Sequence, residues 1–498
     1  MKKMMGCGFR CKLLLLLCAV GWAGSARAQK LQYDLSFEPD KHYIHVTLHV
    51  TELEGEQTLF KMPVWAPGDY DVKNYPKNLC DFSVKNASGN AVAWEKQKKT
   101  GWLVKNRKDD NITITYRIYA NKQDLAEAAI CRERAFMPMN GVCLYIDGKK
   151  ELPATITLHP YGGWTQITTG MTPVKGRMNT YYAKNVDELY DSPFLMGAHK
   201  VVKKKWEGKD FTFAIETPQG IDSTSFFCDV EKMVHQATKL FGEVPFQNYT
   251  FFILGKGDGG LEHANSQVDF TKGSFRFDSR GEYLRFLYLI AHEYYHLYNV
   301  KRIRPIELGP FDYDQENFTP MLWVSEGITM HYETELLLRS GIITEEEALD
   351  KLSGFIRRIE TKEGHKHMSL RQSAYDIWLN FLTDNENEDE VSINYYFKGP
   401  IVAKLMDIRI RQFTKNKKSL DDVMRLLYDV YYKKLQRGFT EEEFWAACER
   451  VAGEPLVEMR RYVDTTDEID YPHLLEPGGL TIDGDYNLRK NGFNTRDN

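Results

Sequence analysis

Between residues 30 and 215 the apolar and polar positions alternate with a period of two. Ile44, Val46, Leu48 and Val50 are interleaved with His45, Thr47 and His49, and Ile112, Ile114, Tyr116 and Ile118 with Thr113, Thr115 and Arg117. This alternation predicts antiparallel strands with one face buried and one facing water. The stretches "APGDY", "NASGN", "RKDDN" and "HPYGG" separate the strands with turn-forming residues. Residues 29–216 therefore read as an N-terminal β-sandwich-like domain.

After "ETPQG" the pattern changes to helical periods with recognisable starts. Thr344 with Glu347 and Thr440 with Glu443 fit the capping box, and Ser419 is an N-cap before "LDDVMRLLYDVYYKKL". Two strand-like segments lead this half: "YTFFILG", short, aromatic and β-branched, and "LEHANSQVDF", which follows a glycine-rich turn. The mainly helical domain is assigned to residues 217–466 and a C-terminal tail to 467–498, giving an α+β protein overall. No internal repeat is present, and the acidic stretch "DNENEDE" at 384–390 is the only low-complexity segment.

Length agrees with two domains, since 498 residues exceed what one ordinary core serves. The 65 basic and 70 acidic residues are mixed along the chain, so no basic face is available for nucleic acid. The first residues change the picture more. "MKKMMGCGFRCK" is basic, "LLLLLCAVGWA" is apolar but short, and Ala26-Arg27-Ala28 is a small-x-small ending. A secretory signal cut after Ala28 is expected, placing the chain in the periplasm or otherwise outside the cytoplasm. Leu17 stands where a lipoprotein site wants a small residue, which disfavours anchoring at Cys18. Nothing later in the chain runs apolar long enough to span a bilayer. Beyond the signal, Cys80, Cys131, Cys143, Cys228 and Cys448 remain. Their number is odd, so at least one thiol is free or pairs between chains. Cys131 and Cys143 are the nearest pair in sequence for a bridge.

The strongest chemical signal lies in "GEYLRFLYLIAHEYYHLYNV", a proline-free stretch with its one glycine at the start. A helix here puts His292 and His296 on one face, one turn apart, where two imidazole nitrogens reach a single ion, with Glu293 beside them. Zinc in a catalytic site takes three protein ligands and keeps a position open for water, so one more ligand is needed. Glu326, in "TPMLWVSEGITMHYETELL", follows a Thr319-Pro320 helix start thirty residues beyond His296 and supplies the candidate. A chance HExxH occurs in roughly a few chains per hundred of this composition, so an amphipathic helix with two satisfied histidines is the plain alternative.

Further segments decide between them. "HEYYHLYNVKRIRP", "LWVSEGIT" and "GGLEHANS", together with "PVWAPGDY", "DSPFLMGAHK" and "NYYFKGPIVAKLMDIRIR", resemble the glycyl aminopeptidase family. These are bacterial zinc metallopeptidases with a thermolysin-like catalytic domain behind an N-terminal β-domain. The resemblance implies one zinc ion on His292, His296 and Glu326, and Glu293 as the general base. It implies that Glu262 grips the substrate's free α-ammonium group and that Tyr396 donates a hydrogen bond to the developing oxyanion, with Tyr395 the neighbouring choice of register. Peptides are the implied substrates, with glycine or alanine preferred at the N-terminus.

Other residues carry less. The run Lys301, Arg302 and Arg304 serves either substrate binding or the negative end of the zinc-site helix. His263, His365 and His367 have no assigned partner. Many members of the family carry a PDZ domain after the catalytic domain, and only about thirty residues follow the last helical segment here, too few for such a module. The rival readings are a silent peptide-binding envelope protein on the same fold, which would lack a ligand or the base, and a zinc endopeptidase, which Glu262 argues against.

Overall fold

The computed structural model describes residues 29–217, 223–273, 275–380 and 387–491. The signal segment, its Cys18 and cleavage site, and Asp384, Asn385 and Glu386 of the acidic stretch lie outside the described residues.

The alternating segments form strands with the expected faces. Tyr43–Thr51 buries Ile44, Val46, Leu48 and Val50, and Ile112–Tyr119 buries Ile112, Ile114, Tyr116 and Ile118. Both belong to a seven-stranded sheet ordered Thr172–Pro173, Thr180–Ala183, Ala154–His159, Lys30–Glu38, Tyr43–Thr51, Ile112–Tyr119 and Leu79–Asn86. Its pairings are antiparallel except that of Lys30–Glu38 with Ala154–His159. Two four-stranded sheets pack with it to close the core. Each of those fully buried aliphatic side chains contributes about 1.5–3 kcal/mol by leaving water. Two phenols buried in this core are satisfied by carbonyls: Tyr116 donates to Val142 at 2.9 Å and Tyr190 to Cys143 at 2.9 Å.

The second half opens on a five-stranded sheet ordered Lys200–Trp206, Lys209–Ile215, Asn248–Leu254, Ser266–Phe270 and Gly260–Glu262. The hairpin 200–215, assigned by its alternation to the N-terminal domain, is thus part of the sheet of the catalytic half. Its parallel pairing of Lys209–Ile215 with Asn248–Leu254 crosses a long helix, α1 (Ser223–Phe241), and local alternation carries no trace of such a pairing. Behind the sheet lie α2 (Arg280–His296), α3 (Ile328–Arg339), α4 (Glu345–Glu360) and α5 (Tyr395–Phe413). Thr344 and Thr440 both close the capping boxes read from sequence.

The C-terminal stretch is not a loose tail as far as Asn491. Tyr471–Leu475 is helical, and Leu480–Ile482 pairs with Leu488–Lys490 in a hairpin that buries Leu480 and Leu488. The Leu488 N–H donates to Ser353 Oγ on α4 at 2.9 Å. The turn signature "DGDYN" between the two short strands was the available signal. The expected Cys131–Cys143 bridge is absent: all five described cysteines are free thiols, and Cys143 is buried in the N-terminal core. Among the described residues no helix is long and apolar enough to cross a membrane.

Candidate active site

Helix α2 begins at Ser279, whose hydroxyl accepts from the Glu282 N–H, and ends with His292 and His296 on one face. Their Nε2 atoms lie 2.9 Å apart, and Glu326 Oε2 stands 3.4 Å from His292 Nε2 and 3.1 Å from His296 Nε2. All three side chains are buried. Their ligand atoms fall within 4.8 Å of one another, so one ion reaches all three.

The opposite nitrogens are already committed. His292 Nδ1 lies 2.8 Å from Glu333 Oε2 on α3, and Glu333 Oε1 is paired with Lys351 on α4. His296 Nδ1 lies 2.7 Å from the Asn299 carbonyl oxygen. Such partners fix the tautomer that leaves Nε2 facing the shared position. Asn299 also ties the helix end to the third candidate ligand's segment, donating to the Val324 and Ser325 carbonyls at 2.9 and 3.1 Å. Two nitrogens and one carboxylate oxygen, buried and oriented from behind, fit zinc.

Glu326 sits on a π-helical turn, Trp323–Gly327, that runs into α3. Wide turns of this kind re-aim single side chains within a helix and recur at functional sites. Gly327 allows a close crossing with α5: a Cβ there would come within 2.6 Å of Gly399 Cα. That contact brings the start of α5, with Tyr395 and Tyr396, beside the cluster.

The two tyrosines differ in what they face. Tyr396 lines the main cleft, a cavity of about 1040 Å3, together with His292, Glu293 and Glu333, and its ring centroid is 6.3 Å from that of His292. Tyr395 is fully buried behind it, its ring 4.8 Å from that of Tyr396. Glu293 packs its carboxylate on Gly260, where a Cβ would lie 2.5 Å from Oε1.

Glu262, at the end of strand Gly260–Glu262, is 3 % exposed, with Oε1 lacking any hydrogen-bond partner among the described residues. It is therefore not the solvated carboxylate of a surface turn. Glu262, Glu293 and His296 also offer ligand atoms within 4.8 Å of one another, so two carboxylates converge beside the histidine cluster. A buried carboxylate left unpaired is costly unless a cation visits it.

Electrostatics follow this crowding. Burial, with Glu262 and Asp269 nearby, pushes the Glu293 carboxyl well above its ordinary range, against the pull of His296. Burial would likewise raise Glu326, but the two imidazoles hold it below the usual carboxylate range. Burial lowers His292, yet Glu326 and Glu333 raise it to about 9. The cluster as a whole favours positive charge at its centre.

The N-terminal domain reaches into this site, which the sequence did not suggest. Gly68 lies against Glu262, and Tyr70 points its hydroxyl at Glu326 Oε1 from 3.4 Å, the long end of a hydrogen bond. The basic run after α2 is mostly structural. Lys301 pairs with Asp191 at 2.8 Å, Arg302 donates to the Ala264, Leu297 and Pro245 carbonyls, and Arg304 lies over the Phe311 ring. His263 finds Asp191 at 3.1 Å. His365 finds the Lys362 carbonyl at 2.5 Å, and His367 lies on the rim of the same turn, 4.0 Å from Glu363.

A β-sheet domain followed by a mainly helical domain with a buried HExxH helix and a glutamate from the next helix defines a zinc metallopeptidase. Residues 32–198 match the Peptidase M61 N-terminal domain and residues 285–402 match M61 glycyl aminopeptidase, together more than half of the chain. The chain belongs to the M61 glycyl aminopeptidase family. It is similar to the crystal structure of an aminopeptidase N family protein from Idiomarina loihiensis, with 26 % identity and a TM-score of 0.85 over 91 % of this chain and 79 % of that one. An M1 zinc metallopeptidase from Deinococcus radiodurans shares the fold at 12 % identity and a TM-score of 0.54, over 89 % of this chain and 95 % of that one. So does Legionella pneumophila aminopeptidase A in complex with aspartic acid, at 14 % identity and 0.54, over 88 % of this chain but 49 % of that one. No curated protein matches the chain.

Proposed function

We propose that the protein is an exported aminopeptidase that hydrolyses the first peptide bond of peptides, with glycine or alanine preferred at the N-terminus. The observation that carries this reading is Glu262, a buried carboxylate with an unpartnered oxygen beside the histidine cluster. An α-ammonium group bound there sets the first peptide bond, and no later one, against the cluster. Endopeptidase action has no use for such a group.

His292, His296 and Glu326 would hold the zinc ion. Bound there, zinc supplies a Lewis acid that polarises the first carbonyl and makes a water nucleophilic near neutral pH. Glu293 accepts the proton of the attacking water and delivers it to the leaving amine. A carboxylate beside the cluster can both take a proton and give it back, which is what this double duty asks of it. Tyr396, on the cleft wall, donates a hydrogen bond to the oxygen on which charge develops. Glu262 accepts from the ammonium group and orients the substrate.

The test is release of glycine from a glycyl dipeptide compared with its N-acetylated twin. The free peptide is cleaved and the blocked one is rejected by well over tenfold, because acetylation removes a charge-assisted hydrogen bond and leaves Glu262 unpaired. Equal cleavage of both would replace the reading with endopeptidase action. Export rests on the basic, apolar and small-x-small order of residues 1–28. Its check is the N-terminal sequence of the mature chain, expected to start at Gln29.

A further inference from the structure

The first residue of a bound peptide is held at two ends in the reading above, its ammonium group by Glu262 and its carbonyl at the His292–His296–Glu326 cluster. Its side chain leaves from the Cα between those two points. Two residues of the N-terminal domain stand at those points. Gly68 touches Glu262, and the Tyr70 hydroxyl lies 3.4 Å from Glu326 Oε1.

The Tyr70 ring cannot easily move aside. It is 3 % exposed and meets Trp378 of the catalytic half edge-on at 5.8 Å and 83°. Trp378 in turn meets Trp65 at 5.2 Å and 89°, and Trp65 is anchored by an indole hydrogen bond of 2.8 Å to the Asp312 carbonyl. The backbone is pinned as well. Lys73 Nζ gathers Asp69, Asp71 and Asp124 at 3.1, 3.0 and 3.3 Å, and the Asp69 N–H closes a turn on the Ala66 carbonyl at 3.0 Å.

Behind this loop the two domains enclose a cavity of about 510 Å3, lined among others by Trp65, Gly68, Tyr70, Glu262, Phe311 and Tyr313. It holds more than enough space for a large side chain, and Tyr70 and Glu262 both stand on its wall.

We propose that Tyr70 is the specificity-determining residue of the first pocket, its ring closing that pocket off from the interdomain cavity so that only glycine or a very small side chain fits. The proposal rests on the aminopeptidase reading and adds a residue and a cause to it. A rigid aromatic wall discriminates by steric exclusion, which rejects a larger side chain far more strongly than a roomy apolar pocket rejects a smaller one. Removing the ring joins the pocket to the cavity behind it.

The experiment compares wild type with Tyr70→Ala, the milder Tyr70→Val, and Tyr70→Phe, each checked for zinc content and circular dichroism. One readout is kcat/KM for glycyl, leucyl and phenylalanyl p-nitroanilides. The other, independent of turnover, is calorimetric binding of glycine hydroxamate against phenylalanine hydroxamate. In the Ala and Val variants the leucine-to-glycine and phenylalanine-to-glycine ratios rise by at least about tenfold in both readouts, while Tyr70→Phe, which keeps the ring, retains the wild-type ratios. Ratios that stay at the wild-type level in folded, zinc-loaded Ala and Val variants overturn the proposal. A wild-type protein that releases no N-terminal residue overturns the aminopeptidase reading instead. The hydroxamate preference then decides the role of Tyr70 alone, and an unchanged preference overturns it.

Discussion

His292 Nδ1 stands 2.8 Å from Glu333 Oε2, and the other oxygen of Glu333 is tied to Lys351, so one imidazole of the candidate metal cluster is braced by an ion pair reaching from α3 to α4. Glu333 lies seven residues, about two turns, past Glu326 on the same helical run, so one face of that run supplies both a candidate ligand atom and the support for a second candidate ligand. Loss of such a brace lets the imidazole rotate and lowers its basicity. Glu333→Ala is therefore expected to weaken zinc binding by about 10–100-fold, read by competition with a chelator. Glu333→Gln weakens it less, because an amide oxygen still accepts from Nδ1–H. Equal zinc affinity in wild type and Glu333→Ala would show that the brace is dispensable.

The division of labour in the cleft gives a second expectation. Glu293→Gln keeps the shape of the site but cannot take a proton, and lowers kcat by about 10²–10⁴ while zinc remains bound. If Tyr396 is the oxyanion donor, Tyr396→Phe lowers kcat by about 10²–10³ with little change in KM. Tyr395→Phe leaves kcat near wild type, since the Tyr395 hydroxyl is buried away from the cleft. Steady-state kinetics on the three variants check the register of the pair: a large effect at Tyr395 and none at Tyr396 would exchange their roles.

Much of this site was legible in the sequence because its parts are local or ordered along the chain. His292, Glu293 and His296 occupy one helical turn. Glu326 follows a helix start, and Glu262 ends a short strand after a glycine-rich turn. Glu333 could have been found from its place on the Glu326 helix. Gly68 and Tyr70 could not, since Tyr70 meets Glu326 across 256 positions of sequence and only the docking of the two domains brings them together. The same limit explains the hairpin 200–215. Alternation identifies a strand, but the sheet it joins is fixed by a parallel pairing on the far side of α1.

A third expectation concerns a half-buried trio behind the strand end, where Asp191 receives Lys301 at 2.8 Å and His263 at 3.1 Å. Burial would raise the Asp191 carboxyl, but Lys301 and His263 outweigh it and hold its pKa below the usual carboxylate range. A depressed folded-state pKa means that the unfolded chain binds the proton more readily. The stabilisation is complete above the unfolded value of about 3.9 and is lost as the pH falls below it toward the folded value. Acid unfolding followed by circular dichroism should steepen below about pH 4 in the wild type. Asp191→Asn loses that acid step, and at neutral pH it is less stable because Lys301 loses its counter-charge. An unchanged acid profile in the variant would assign the acid sensitivity to other carboxylates.

The closest contact between the domains at the site yields the last expectation. A Cβ on Gly68 would lie 2.6 and 2.8 Å from the two carboxylate oxygens of Glu262, and the backbone there has φ of +93°, which side-chain-bearing residues rarely adopt. Gly68→Ala must displace either the loop or the carboxylate. Loop movement is opposed by Lys73 and its three aspartates, so the carboxylate gives way. If Glu262 holds the ammonium group, the variant loses more than about tenfold in kcat/KM on free-amine peptides, through KM as well as kcat, while zinc affinity stays near wild type. Acetylated peptides, which never used the grip, show no further loss, so discrimination between free and blocked substrates narrows. Loss of zinc together with activity would instead mean that the strain passes from Gly68 into the histidine cluster, and that the loop supports the metal site rather than the substrate's amine.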